Sequence, residues 1–384
     1  MDFSWSPDQH ALREKVIAFA QAELNDDLAR RDRREEFLAE NWRKCADFGL
    51  FGWNVPEEYG GRGRDILTAV CLMEALGYGC RDNGLTLAVN AQVWTIHEPL
   101  LTFGSEEQKR RYLPKLCAGK IMAADAITEE YAGSDALKMS TRARRSDSGY
   151  VLNGRKMFIG MAPVADLAIV FAKTDPDAGQ WGISAFLVEK GTPGFGVTEN
   201  RSKMGLRTVP MGGFSFEDCE VPETCRLGAE GAGMSLFQHT MEWERAFILA
   251  SHVGAMARQL DESVEFAKKR EQFGKPVSAF QSVSNRIVEM RVRLETSRLL
   301  LHKLAWMKHH GKSAAIEAAT ANLHIAESFK ESSLDAVRTH GARGYLSEYE
   351  VERDLRDAVG GVIYAGTSDI QRNLIARLLG LRPD

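Results

Sequence analysis

The sequence has no apolar run near the ~18 residues needed to cross a bilayer, so no membrane span is expected. Its opening, M-D-F-S-W-S-P-D-Q-H, is acidic and polar and does not read as a signal peptide. Cysteine is sparse: Cys45, Cys71, Cys80, Cys117, Cys219 and Cys225 form no C-x-x-C pair and no metal-type spacing with histidine. Six reduced thiols in a reducing compartment, the cytoplasm, are the expectation, with no metal site. Basic charge is not in excess, since the net charge is −4 at pH 7; a nucleic-acid partner is therefore not expected. There is no internal repeat and no low-complexity linker.

What is present is an ordinary globular composition, 44% hydrophobic and 27% charged over 384 residues, long enough for two or three domains. Ser6-Pro7-Asp8-Gln9 reads as a helix start with a capping box, and Ser105 with Gln108 repeats it. Helical spacing covers Pro7–Leu28, Glu35–Phe48, Ile66–Leu76, Leu85–Phe103 and Glu106–Cys117. The texture then changes. Tyr150–Gly154 ends in Asn-Gly, a hairpin signal; Leu167–Ala172, Ile183–Val188 and Gly212–Phe216 read as strands. Helices return at about Met234–Arg270, Phe280–Lys308, Ser313–His340, Glu348–Ala358 and Ser368–Leu379. The fold class expected is mainly α with a β-domain: an all-helical domain over 1–121, a β domain over 122–228 and a helical bundle over 229–384.

Leading into and along the helical pattern of Met241–Gln281, apolar or small residues recur at Phe237, Met241, Ile248, Ser251 and Ala255. Glu244 falls on the same stripe. A carboxylate there is either paired structurally with an arginine or left with a raised pKa, which suits a general base. Other stretches are equally two-sided when taken singly. The 126–135 loop, A-I-T-E-E-Y-A-G-S-D, offers hydroxyls and approachable amides to a heterocycle or phosphate, or is simply a polar loop. Arg270 with Phe273 at a helix end suits phosphate and base stacking, or a charged cap. Arg338–Tyr345 is a glycine-punctuated turn, and Gly366-Thr367-Ser368 precedes a helix, where it offers amide donors or a plain cap.

Together these blocks give the chain its resemblance to the acyl-CoA dehydrogenase flavoproteins. They are T-E-x-x-A-G-S-D at 128–135, N-G-x-K at 153–156, K-M-G-L-R at 203–207, F-x-D-C-E-V-P at 216–222 and E-R at 244–245. R-x-Q-F-G-x-P at 270–276, F-Q at 280–281, G-A-x-G-Y at 341–345, V-E-R-D-L-R-D-A at 351–358 and A-G-T-S-D-I-Q-R at 365–372 complete the set. The resemblance implies an N-terminal helical domain, a middle β-barrel domain and a C-terminal four-helix bundle. It also implies bound FAD and a homotetramer or homodimer. Ile127, Thr128, Gly133 and Ser134 would hold the flavin ring and pyrophosphate, with Phe158, Ile159 and Gly160 along the isoalloxazine. Arg270, Phe273, Gln281, Arg338, Gly341 and Ala342 would reach the FAD of an adjacent subunit, and Thr367 and Asp369 would touch FAD near its adenosine and pyrophosphate. Ser134, Met241, Arg245, Ala365 and Gly366 would meet the substrate, an acyl thioester of CoA or a carrier protein. An electron-transfer flavoprotein or oxygen would take up the electrons.

Many relatives carry the base in a Y-E-G-T block. This chain has Tyr364-Ala365-Gly366-Thr367, whose methyl group takes no proton, while Glu244-Arg245 resembles the isovaleryl-CoA type with its base on the long helix. Glu244 is therefore the expected catalytic base for α,β-dehydrogenation. Some family positions differ: Glu130 stands for the usual Pro, Phe158 for Trp, Gly160-Met161 for Thr/Ser-Asn, and Arg338 for Gln. The M-x-W-E run at 241–244, Gln281–Arg286 and the C-terminal run look most similar to a branch that oxidises acyl or prolyl groups on carrier proteins. An oxygen-using oxidase or monooxygenase, motivated by Gly160, and a non-catalytic flavin-binding protein, motivated by Ala365, remain alternatives.

Overall fold

The computed structural model describes residues 5–381, so the first four residues of the polar opening and the last three of the chain lie outside the described residues. Seven helices come first: α1 Pro7–Glu23, α2 Leu28–Arg34, α3 Ala39–Phe48, α4 Ile66–Gly79, α5 Asn83–Ala91, α6 Glu98–Phe103 and α7 Glu106–Cys117. Both expected capping boxes form, at Ser6–Gln9 and Ser105–Gln108. Two expected helices are interrupted. Pro7–Leu28 ends at Glu23, and Asp27, with φ 49°, turns the chain into α2. Leu85–Phe103 carries a π-helical turn at Gln92–His97, buried along its whole length.

The strands are β1 Ala123–Ala126, β2 Arg142–Arg145, β3 Gly149–Gly160, β4 Leu167–Lys173, β5 Ile183–Glu189, β6 Phe195–Val197, β7 Met211–Pro222 and β8 Arg226–Leu227. They form one sheet in the order β6-β7-β3-β2-β4-β5-β8, and β1 shares the β2 edge of β4. The apolar run of β4 is explained by burial on both faces. Leu167, Ile169 and Phe171 pack toward α6–α8, whereas Ala168, Val170 and Ala172 join a core within the sheet. That inner core brings Tyr150 of β3 against Phe186 of β5, with ring centroids 4.9 Å apart.

The Asn153-Gly154 hairpin is not there. The dipeptide lies inside β3, at a bulge opposite β7, with the Asn153 amide exchanging hydrogen bonds with Asp218. Gly154 is needed because a Cβ would lie 2.7 Å from Thr141 Cα. Close strand packing, not turn formation, selects this glycine.

The remaining helices are α8 Gly233–Phe247, α9 Ala250–Lys269, α10 Gln281–His309, α11 Ala315–His340, α12 Ala342–Tyr345, α13 Val351–Gly361 and α14 Ser368–Leu378. The long helix expected over Met234–Arg270 breaks after Ile248, where Leu249 has φ −93° and ψ 9°. The reason is tertiary. Just past the break, α9 presses on α4 so closely that a Cβ on Gly254 would stand 1.9 Å from the Glu74 carbonyl oxygen. Helices of both ends of the chain share one apolar core, from Val16 to Ala365.

Two of the sequence blocks hold the sheet to this core. The Asp357 carboxylate of α13 accepts from the Leu206 amide at 2.5 Å and from Asn83 at 3.0 Å. Asp354 accepts from Asn83, Arg258 and Gln259. Gly205 lies directly on the Arg356 backbone.

Candidate active site

Glu244 sits in the last turn of α8, where its carbonyl accepts from Ile248. The residue keeps some contact with solvent, yet its carboxyl is surrounded by enough protein that burial pushes its pKa up to about 7, with Arg245 opposing only in part. Its charge is felt at two places. One is the Tyr364 hydroxyl, whose pKa burial and nearby carboxylates push up; the other is Asp125 on β1. Tyr364 donates to or accepts from His252 at 3.0 Å. Burial holds that imidazole neutral by lowering its pKa to about 4. The end of α8, the end of β1 and the 362–367 link thus meet at one place.

In that link Ala365 is buried with φ 58°, a strained value for a residue with a side chain. The Gln371 side-chain amide holds it there, donating to the carbonyls of Ala365 (2.9 Å) and Gly366 (3.0 Å). Arg245 reaches the same spot. A Cβ on Gly366 would stand 3.8 Å from Arg245 Nη2, and Arg245 Nε is buried without a partner. Met241 is buried one turn before Glu244. So Met241, Glu244, Arg245, Ala365 and Gly366 are brought together around the end of α8.

The 128–135 loop is anchored by a residue that the sequence reading left without a role. Buried Glu129 accepts from the amide and hydroxyl of both Ser140 and Thr141, at 2.6–3.0 Å. It also pairs with Lys156 at 2.9 Å. Lys156 donates in addition to the Ile127 carbonyl at 3.0 Å. These contacts hold the Glu129 carboxyl down at about 2 despite burial. The T-E and N-G-x-K blocks are therefore one structure.

Beyond that anchor the surface is open. A Cβ at Gly133 or Gly160 would meet nothing within 4 Å, and Ser134 is exposed. Phe158 is 51% exposed with φ 60°, turned outward at a second β3 bulge, while Ile159 points into the sheet core and offers only its backbone. A flavin ring fits this combination of an outward aromatic, an uncovered glycine and the amides beyond Thr128.

The other expected contacts lie elsewhere. Arg270 ends α9 and leads into a two-stranded turn whose tip, Phe273, is 92% exposed with φ 52°. Gln281 is exposed at the start of α10. Arg338 pairs weakly with Asp335 at 3.5 Å, and Gly341 and Ala342 are exposed at the end of α11. Phe266 packs on His340 at 4.2 Å, which puts these two turns side by side. Among the described residues no hydrogen bond or ion pair joins this group to Glu244 or Thr128. Thr367 caps α14 by accepting from Ile370 at 3.2 Å, and Asp369 faces solvent beside Arg372.

Asp125 was missed: A-A-D-A-I shows a charge inside a small apolar run but not what that strand residue faces. His252 was missed too, for want of any local motif around it.

All three segments of the chain find counterparts. Residues 6–120, 124–219 and 231–380 match the N-terminal, middle and C-terminal domains of acyl-CoA dehydrogenase. The chain is 42% identical over 382 residues to an L-prolyl-peptidyl-carrier-protein dehydrogenase of Serratia sp., covering 100% of this chain and 99% of the relative. Among solved structures it is similar to the prolyl acyl carrier protein oxidase AnaB, with a TM-score of 0.97 and 47% identity, covering 98% of this chain and 100% of AnaB. It is similar also to PigA with FAD and proline, with a TM-score of 0.96 and 41% identity over 100% of both chains. On this combination of sequence and architecture, the chain belongs to the acyl-CoA dehydrogenase family.

Proposed function

We propose that this chain is an FAD-dependent dehydrogenase that oxidises the α,β carbon–carbon bond of an acyl thioester, with Glu244 as the base. The observation that carries the reading is the Glu244 carboxyl, tuned by burial to about 7 beside the 362–367 link, where residue 365 itself is only a methyl. A base of that pKa is half-ionised at neutral pH, the match to working pH that suits a general base. Ile127, Thr128, Gly133, Ser134 and the Phe158–Gly160 backbone are the groups that would hold the flavin. FAD bound there would supply the two-electron acceptor, at N5, for the β-hydrogen.

The chain's own residues do the rest. Glu244 takes the α-proton. Gln371 fixes the 365–366 backbone beside it, and the Arg245 guanidinium lies against the same spot. The apolar groups around Met241 and Ala365 limit the water that reaches the carboxyl, though Glu244 keeps some solvent contact.

The thioester is that of a prolyl-type group on a carrier protein, by likeness to the Serratia sp. dehydrogenase and to AnaB. The exposed Arg270, Phe273, Gln281, Arg338, Gly341 and Ala342 serve the FAD of a neighbouring copy in a homodimer or homotetramer. Thr367 and Asp369 lie toward its adenosine side. We place the domain joins at 121/122 and 228/229. With all six cysteines free, we place the protein in the cytoplasm. Anaerobic loss of flavin absorbance on adding prolyl-carrier protein tests the reading; no bleaching by any acyl or prolyl thioester overturns it.

A second reading, an oxidase that passes electrons to oxygen, is favoured by the open space over Gly160. It predicts one peroxide per turnover without an added acceptor. A dehydrogenase needs a partner such as an electron-transfer flavoprotein.

A further inference from the structure

We propose that Asp125 recognises a positively charged amine on the acyl group, so that the site is built for aminoacyl thioesters of the prolyl kind and against plain fatty acyl chains. This rests on the thioester reading above and names its substrate class.

Asp125 is the third residue of β1, and side chains alternate along a strand. Ala124 and Ala126 join the core inside the sheet, while Ala123 joins the cluster that contains Ile96, Leu236 and Phe237. Asp125 shares the Ala123 face and so points toward the π-helical turn and α8. Its Oδ1 is shut off from solvent and has no hydrogen-bond partner. The nearest cation does not serve it. The Lys156 ammonium has its three donors directed at Glu129, the Ile127 carbonyl and the Met139 sulfur. Burial, with repulsion from Glu244 added to it, holds the Asp125 pKa well above the usual carboxylate range, and only the Lys156 field and the Ala126 amide oppose. Gln92 Nε2, Thr95 Oγ1 and Thr240 Oγ1, on the same turn and helix, are likewise buried without partners. The Gln92 carbonyl oxygen accepts from the Ala123 amide at 3.3 Å, which ties that side chain to β1.

A hydrocarbon chain in this space would leave the carboxyl unsatisfied, which is strongly disfavoured. A secondary ammonium supplies what is missing: one positive charge and two N–H donors in fixed directions. The amine binds as a cation to the ionised acid or as a free base to the protonated acid, and the proton count is the same. With Asp125 matched to the amine, Glu244 is left as the uncompensated carboxylate that receives the α-proton.

The test compares two carrier-protein thioesters on the FAD-loaded enzyme, L-prolyl and cyclopentanecarbonyl, which share a five-membered ring and differ in the nitrogen. Anaerobic bleaching rates are measured for the wild type, Asp125→Asn and Asp125→Leu, with flavin content and melting temperature checked for each. The wild type is expected to favour the prolyl thioester by at least about 100-fold, as for a site built around a substrate N–H. In both variants that preference collapses to within about threefold. An unchanged preference in a folded, flavin-loaded variant overturns the assignment, and so does an equal loss on both thioesters. A wild type bleached by neither ring thioester but by a straight-chain acyl-CoA also overturns it, while leaving thioester oxidation standing. Absence of bleaching with every thioester tells instead against the function proposed above.

Discussion

Glu244 is a single side chain on which two physical demands meet. It must be dry enough to be basic and close enough to charge to ionise when required. Burial raises it to about 7 and the Arg245 guanidinium limits the rise. As a base it works only when deprotonated, so the rate of bleaching should fall about tenfold per pH unit below about 7 and level off above it. A flat profile between pH 5 and 8 would contradict this. Glu129 gives the opposite sign. Its folded pKa of about 2 lies below the ordinary 4.5, so its contribution is complete above pH 4.5 and is lost as pH falls toward 2. Replacing its partner, Lys156→Met, leaves a buried carboxylate without a cation and should cost about 3–5 kcal/mol. Thermal unfolding checks this, with loss of flavin from the same loop as the companion signal. Glu244 was legible in the sequence because three signals coincided: stripe position, the following arginine and the methyl at Ala365. Asp125 was not legible, because nothing in A-A-D-A-I tells which partners a strand residue meets across a fold.

Among the elements, α13 and the 203–207 loop act as one clasp between the sheet and the helices. Asp357 receives the Leu206 amide, Arg356 donates to the Met204 carbonyl at 3.2 Å, and Gly205 leaves no room for a side chain. A Cβ there would lie 2.2 Å from the Arg356 carbonyl oxygen. Gly205→Ala should therefore lower stability by roughly 2 kcal/mol or more, through backbone displacement. Calorimetry against the wild type checks it; an unchanged melting temperature would show that the clasp yields freely. Element types and order followed from periodicity, because long amphipathic helices and apolar strands carry their own signal. The failures came where neighbours decide. Asn153-Gly154 reads locally as a turn, but the approach of Thr141 makes the glycine a strand requirement. The break after Ile248 answers the crossing of α9 on α4, which no local pattern records. The blocks that looked like one functional signature divide likewise. Some line the site, while V-E-R-D-L-R-D-A and K-M-G-L-R hold the molecule together.

For the molecule as a whole, the exposed apolar residues concentrate in the C-terminal half. Phe273, Tyr345 and Leu379 are examples, and Val288, Val292 and Leu299 mark the surface of α10. Surfaces of this kind are expected to be covered by further copies of the chain. Light scattering should return a dimer or tetramer, and Arg270→Ala with Phe273→Ala should release FAD at concentrations where the wild type keeps it. A monomer that retains FAD on dilution would contradict a shared site. The central claim, that this enzyme draws the α-proton of a thioester onto Glu244, is tested most directly by one comparison. Wild type and Glu244→Gln, both loaded with FAD, are mixed anaerobically with prolyl-carrier protein and followed at the flavin absorbance. The account predicts rapid bleaching in the wild type and a variant that stays yellow, slowed by about 10²–10⁴-fold or more. Bleaching of the variant at the wild-type rate would contradict it.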